Sequence, residues 1–506
     1  MAEGETSYQS NTYLIEQARM AASIPDRSAF SSRDSVAHIW RDLGLPEDSL
    51  QSLDITDPEK PGLPSSYKIG HLAQASIALS TLLAAQIHSL RNDHPRPPAV
   101  TVPFRHACVE FNSWRLYTVD GKPVPRTAGS PVGGLHRASD GYVRVHDGFP
   151  NHRDGAKALL GCSSDVTSRE EVAAKVAAWR CVDLEQTGIE SGLAMAALRS
   201  YEQWDVLPQA QAIADTPIRL RKIGDAPVGL TDRMGAGADK CLRGLRVLEM
   251  SRVIAAPLSG KTLAAHGADV LWVTSPNLPD LPELDRELGR GKRTIQLDLQ
   301  EQKDADELFK LLDEADVFLQ GYRPGSLAAR KLSPEAIVQR RSGRGIICAN
   351  MSAYGPEGPW SGRRGFDSLV QTCSGLNVSE AQHFAAGEAA RPLPCQALDY
   401  AGGFFLAAGV MAALYKQATE GGSWQVDVSL AGAMKYLRSL GQYEGKSGFD
   451  APDYIRPEDV PSEFLETHMT GFGEMTSVRH SGSIDGVEVG WEIMPKPLGS
   501  DEKQWL

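Results

Sequence analysis

Asp399 is the residue whose type and setting hold the most chemistry. It stands in Pro394-Cys395-Gln396-Ala397-Leu398-Asp399-Tyr400-Ala401-Gly402-Gly403, just before the apolar run 404–415. A carboxylate there can cap a helix by accepting hydrogen bonds from the unpaired N–H groups of the first turn. It can equally present an oxygen nucleophile to an acyl carbon, with the adjacent glycines allowing a ligand to come close. Local sequence leaves both roles open. The seven cysteines, at 108, 162, 181, 241, 348, 373 and 395, offer no alternative centre. They form no CxxC pair, so neither a structural zinc site nor a disulfide framework is indicated.

The elements that must position Asp399 begin at Gly244. Residues 245–250 (LRVLEM) read as a buried strand, 258–266 as a helix and 269–273 as a second strand. A helix over 302–314 precedes a strand at 316–319, and a helix over 334–340 precedes a strand at 345–349. Short apolar runs alternating with amphipathic helices predict a parallel sheet with helices on its faces, a Rossmann-like α/β unit. The turn after the first strand is Ser251-Arg252-Val253-Ile254-Ala255-Ala256-Pro257. It lacks GxGxxG, so no nicotinamide or flavin dinucleotide is indicated.

The chain of 506 residues exceeds one compact core. A net charge of −12 argues against a nucleic-acid partner but leaves room for a small anion held by local basic residues. The apolar stretch 401–415 reads as too short to cross a bilayer. The opening residues 1–10 are polar and acidic, unlike a targeting peptide, so no membrane partner and a cytoplasmic location are expected. Ahead of Gly244, residues 69–90 read as a long alanine- and leucine-rich helix followed by a strand over 99–104. A strand near 142–145 then leads to helices over 169–179 and 192–201. The segment from Ser66 through that first helix and strand parallels the segment from Asp399 through its helix and 425–428, a faint internal repeat in which Ser66 takes the place of Asp399.

The residues Gly244–Pro257, Leu263–Val273, Gly291-Lys292-Arg293, Tyr322-Arg323-Pro324-Gly325, Ala353-Tyr354-Gly355, Gly365-Phe366-Asp367 and Leu398–Gly403 occur in an order that resembles family III CoA-transferases, the formyl-CoA and carnitine CoA-transferase (CaiB/BaiF) type. The resemblance implies a family III fold: a Rossmann-like large domain with a smaller α+β domain, here a rearranged or truncated tandem duplication. The expected division is a degenerate copy of the helical half at 1–131, a small domain at 132–225, a linker at 226–243, the CoA-binding large domain at 244–445 and a tail at 446–506 returning to it. Relatives of this type are interlocked homodimers, so either a homodimer or an internal pseudo-dimer is implied.

The resemblance also implies roles. Asp399 matches the catalytic aspartate that attacks a thioester, and Asp367 an acidic position beside it. No permanently bound cofactor is implied; coenzyme A enters as substrate, as an acyl-CoA, with a carboxylic acid as its partner, and no metal takes part. Candidate CoA contacts are Arg252, Ala255, Lys292, Arg293, Leu297, Asp298, Leu299, Gly321, Tyr322, Arg323 and Arg364. Related 2-methylacyl-CoA racemases place a histidine where Phe366 stands, and phenylalanine carries no proton; His383 is the nearest histidine in sequence. Ile254 replaces a glutamine of formyl-CoA transferases, which implies a different acyl group. A non-catalytic CoA-binding protein is the remaining alternative, suggested by Ser66 and the rearranged domains.

Overall fold

The computed structural model describes residues 22–56, 60–124, 129–163, 165, 168–341 and 343–506; the polar opening segment lies outside them. Strands rich in Val, Ile and Leu, apolar on both faces, are stable only when helices cover both sides of their sheet. Six such strands run parallel in the order Lys292–Gln296, Asp269–Thr274, Arg246–Met250, Val317–Gln320, Ile347–Ser352 and Ser423–Ser429. Val247 pairs with Val270 on one side and Val317 on the other, and Val317 in turn pairs with Ile347. The sheet grows first one way from Arg246–Met250 and then the other. The crevice beyond the carboxyl ends of Arg246–Met250 and Val317–Gln320 is therefore the topological switch point, where open α/β sheets bind ligands.

A seventh strand, Ile218–Gly224, closes the sheet antiparallel to Ser423–Ser429. These residues fall within the stretch assigned from sequence to the small domain, yet they extend the large sheet. The small sheet itself comprises Gly134–Arg137, Tyr142–Val145 and Met195–Ala197, covered by the helices Pro150–Leu160, Arg169–Val176 and Cys181–Glu190. A helix expected over 192–201 is thus corrected to a strand. Alanine, leucine and methionine are among the best helix formers, but intrinsic preference amounts to less than about 1 kcal/mol per residue, and pairing with Val143–Val145 outweighs it. The strand expected over 99–104 shrinks to Val100–Thr101, because a helix begins at Phe104.

Asp399 lies on the helix Ala397–Glu420, which is long and apolar enough to cross a membrane but is buried inside the protein. It packs against the sheet, the helix Ala255–Ala265 and the N-terminal helix Ile69–Arg91. Gly403 permits the second of these contacts: a Cβ there would lie 2.7 Å from the Ala255 carbonyl and 2.8 Å from Leu258 Cβ. Gly402 faces Met351 and Leu430. Both glycines serve helix packing, where the sequence suggested ligand approach.

The tail binds back across the molecule. Its hairpin Leu465–Thr470 and Gly473–Val478 pairs with Thr118–Val119, and Ser483–Ile484 pairs with Val100–Thr101. Trp491 donates to the Lys261 carbonyl at 2.9 Å and Trp505 to the Leu311 carbonyl at 3.1 Å.

Candidate active site

The N-cap of the Ala397–Glu420 helix is Gln396, whose side chain makes no capping bond. Asp399 is already inside the first turn, so the cap function proposed for it belongs to another residue. Asp367, at the start of the helix Asp367–Cys373, supplies it from a distance. Its Oδ2 accepts the Leu398 N–H at 2.8 Å and the Asp399 N–H at 3.0 Å, while Oδ1 accepts from Gln371 Nε2. Gln371 is held in turn, its carbonyl oxygen accepting from Asn377 at 2.9 Å and the Leu393 N–H at 3.0 Å.

Both carboxyls line one cavity of about 440 Å³, together with Trp114, His146, Ile254 and Phe366. Burial raises each pKa, and two carboxylates this close resist ionising together. Asp367 is pushed up to about 6 by burial, with the Asp399 N–H, Gln371 and the Leu398 N–H holding it back. Asp399 has no such compensation; burial, then the Asp367 charge, push it well above the usual carboxylate range. Asp367 is therefore the member of the pair that carries the charge more readily, and Asp399 the one that keeps a proton.

The Ser251–Pro257 turn forms another wall. Val253, also lining the cavity, sits at φ 73°, a left-handed conformation that a β-branched residue rarely adopts. Such strain, costing about 1–3 kcal/mol, concentrates at functional sites. The turn delivers Ala255 to the first turn of the Ala255–Ala265 helix, opposite Gly403.

Residues from the first half of the chain complete the site. Trp114 is tied to the residue after Asp399, its N–H donating to Tyr400 Oη at 2.8 Å. His146 stacks on Phe366 with ring centroids 3.7 Å apart and planes 5° from parallel. Phe149 lies under the Arg252 guanidinium, 4.5 Å from its centroid. His152 packs edge-on to Phe366, and its pKa is pushed down to about 4 by burial and then by the charges of Arg364, Arg252 and Arg323. Three of the arginines singled out from sequence thus converge around one imidazole. Nothing in sequence spacing could place Trp114, His146, Phe149 or His152 here, because each lies more than 100 positions from Asp399.

Other sequence candidates are placed differently. Lys292 is wholly buried, bonded to Glu249 at 2.8 Å and the Pro257 carbonyl at 2.6 Å, so it is corrected from a ligand contact to a structural ion pair. Arg293 is likewise engaged, with Asp269 at 2.8 Å and the Gln504 carbonyl at 2.6 Å. Leu297 is buried at the end of its strand. Asp298 accepts from Asn277 at 2.7 Å, and Leu299 packs on the same apolar cluster as Tyr322. Gly321 lies at the switch point, where a Cβ would meet Ala256 Cβ at 2.8 Å. Arg323 is exposed beside it, lining a smaller cavity of about 140 Å³ with Gln320, Asn350 and Asp427. His383 lies outside the Asp399 cavity, with Nδ1 2.9 Å from the Ser379 carbonyl. Ser66, the repeat counterpart of Asp399, is buried with its N–H and hydroxyl both directed to Glu380.

The chain thus combines a parallel α/β sheet with a buried aspartate pair in one cavity and three arginines acting on His152 nearby. Residues 242–453 match CoA-transferase family III, and this part of the chain is a domain of that family. Over 336 residues the chain is 31% identical to an acyl-CoA transferase of Gibberella moniliformis, covering 62% of this chain and 59% of that protein. It is 34% identical over 223 residues to the acetyl-coenzyme A transferase nodX of Hypoxylon pulicicidum, covering 44% of this chain and 37% of that protein. It is 31% identical over 264 residues to human alpha-methylacyl-CoA racemase, covering 52% of this chain and 66% of that protein. The chain therefore spans between about a third and two thirds of the length of these relatives.

Proposed function

We propose that this chain moves CoA from an acyl-CoA thioester to a free carboxylic acid, with Asp399 as the nucleophile. The observation that carries this reading is the placement of Asp399 in a cavity that Val253 and Ile254 line just beyond the strand Arg246–Met250; Arg364, Arg252 and Arg323, which act together on His152 beside Phe366, are the cations we assign to the phosphates of an acyl-CoA. Once it has given up its proton, the Asp399 carboxylate attacks the thioester carbonyl; the C–S bond breaks, leaving an acyl-aspartyl anhydride and CoA thiolate. The thiolate attacks the aspartyl carbonyl, releasing the donor acid and forming an aspartyl-CoA thioester. The acceptor carboxylate repeats the sequence in reverse, and Asp399 is regenerated. Each step exchanges one acyl derivative for another of similar energy, so no ATP is consumed.

Phe366 weighs against an isomerase that shuttles an α-proton, since the ring carries none. Trp114 and Phe149 reach the cavity from the first half of the same chain, which supports an internal pseudo-dimer over a site shared between two copies. The test is incubation with acetyl-CoA, isobutyryl-CoA and succinyl-CoA, followed by mass spectrometry for a hydroxylamine-sensitive adduct on Asp399. Absence of any adduct, together with undiminished CoA exchange by Asp399→Ala, would end the nucleophile reading.

A further inference from the structure

We propose that His146 is a catalytic residue of this site, donating a hydrogen bond from its neutral imidazole to the carbonyl oxygen of the bound thioester. The inference rests on the CoA-transfer reading and adds a residue outside the family III segment 242–453. His146 directly follows the strand Tyr142–Val145, and its N–H donates to the Ala194 carbonyl at 3.0 Å, so the small sheet fixes its backbone. Stacking on Phe366 fixes the plane of the ring. Phe366 precedes Asp367, which holds the Asp399 turn, so imidazole and nucleophile are registered on one frame. Both line the same cavity.

The ring has spare hydrogen-bonding capacity. Its Nδ1 is shut off from solvent and bonded to nothing among the described residues. Leaving a lone pair there costs less than burying an N–H without an acceptor, which puts the proton on Nε2. Gly148 keeps that edge open: a Cβ at this position would lie 2.9 Å from His146 Cε1 and 3.5 Å from Nε2. Burial, then His152, hold the imidazole down at about 4 against the opposing charge of Asp147, so it is uncharged at neutral pH. A neutral imidazole in a buried site polarises a carbonyl without taking part in proton transfer. Ile254 and Phe366, on the same cavity, have no side-chain donor to offer; Trp114 has an indole N–H there, unpaired among the described residues, but lacks the stacking on Phe366 that fixes the imidazole plane.

Two measurements test the proposal. The first is the infrared carbonyl band of [1-13C]isobutyryl-CoA bound to Asp399→Asn, which holds the thioester without reacting. The band is expected to fall below its position in water, and to return toward it when His146→Phe is added. The second is the rate of Asp399 adduct formation, expected to drop about 100- to 1000-fold in His146→Phe, as for loss of one oxyanion donor. A smaller drop is expected in His146→Gln and Gly148→Ala, with acyl-CoA affinity nearly unchanged in all three. Equal rates and an unmoved band overturn the role of His146 while leaving Asp399 as nucleophile. A His146-dependent band without any wild-type adduct overturns the nucleophile and supports the donor. No bound band in any variant overturns both. If His146→Phe instead abolishes solvent-deuterium entry at the acyl α-carbon and leaves acylation intact, the residue is a proton carrier and the donor role is lost.

Discussion

Asp367 Oδ2 accepts the backbone N–H of Asp399 at 3.0 Å, so one acidic residue of the pair holds the other by its main chain. The bond that positions the nucleophile also places a negative charge beside it. Asp367→Asn separates these effects. The amide oxygen can still accept both N–H groups, but its NH₂ then faces Gln371 Nε2, and Gln371 cannot turn over without losing Asn377 and Leu393. The expected cost is about 1–2 kcal/mol, roughly one buried hydrogen bond, read from the urea midpoint. Removal of the charge lowers the Asp399 pKa, so the pH profile of adduct formation should move to lower pH. An unmoved profile would show that Asp367 acts on Asp399 only through packing.

Asp399 should destabilise the fold increasingly as pH rises. Its folded pKa lies well above an unfolded value near 4, so the unfolded chain loses this proton first. The stability associated with the protonated group is complete below about pH 4 and is lost as pH climbs toward the folded pKa, by about 1.4 kcal/mol per pH unit in that interval. Asp399→Asn escapes the loss. Urea titrations at pH 4, 6 and 8 should show the variant gaining on wild type as pH rises toward the folded pKa, while its adduct formation is abolished. A gap that is constant with pH would mean that folding leaves the Asp399 pKa unshifted.

The α/β alternation and the standing of Asp399 were legible because apolar periodicity is local and a carboxylate at a helix start is visible in a short window. Burial of charge was not. Lys292 and Arg293 read as candidate CoA contacts beside a glycine, and only the strand pairing reveals that Glu249 and Asp269 neutralise them. Ile218–Gly224 has the alternation of a strand, but its attachment to Ser423–Ser429 depends on a contact more than 190 positions away. The cavity wall was equally hidden: His146 and Trp114 meet Phe366 and Tyr400 only after the first half of the chain docks on the second. The helix read over 192–201 failed for the opposite reason, since local preference there was overruled by sheet pairing.

Helix packing sets a steric test of the glycine pair. Gly403→Ala drives a methyl into the Ala255 carbonyl and Leu258, neither of which can retreat without moving the helix that carries the strained turn. A cost of about 1–3 kcal/mol is expected, with slower adduct formation. Gly402→Ala meets the flexible end of Met351 at 3.2 Å and should be tolerated. Thermal denaturation of the two variants side by side decides the point; equal behaviour would mean that the two helices are free to separate.

The cations divide into two groups that alanine substitution should distinguish. Arg323 and Arg364 have no ion pair among the described residues, and burial and Arg323 lower the Arg364 pKa, the signature of like charges held close together. Replacing either should leave the urea midpoint within about 0.5 kcal/mol of wild type, as for ordinary surface positions. CoA binding should weaken and lose part of its salt dependence, because fewer screened contacts remain to the phosphates. Binding of an acyl-pantetheine, which lacks those phosphates, should be unaffected. Lys292→Ala should do the reverse. It strands Glu249 in the interior without its partner, a change that costs about 3–5 kcal/mol. Calorimetric titration with CoA and with acyl-pantetheine, beside urea unfolding, reads both effects. If Arg323→Ala and Arg364→Ala bind CoA as tightly as wild type, the phosphates lie elsewhere and the arginine cluster around His152 serves the fold alone.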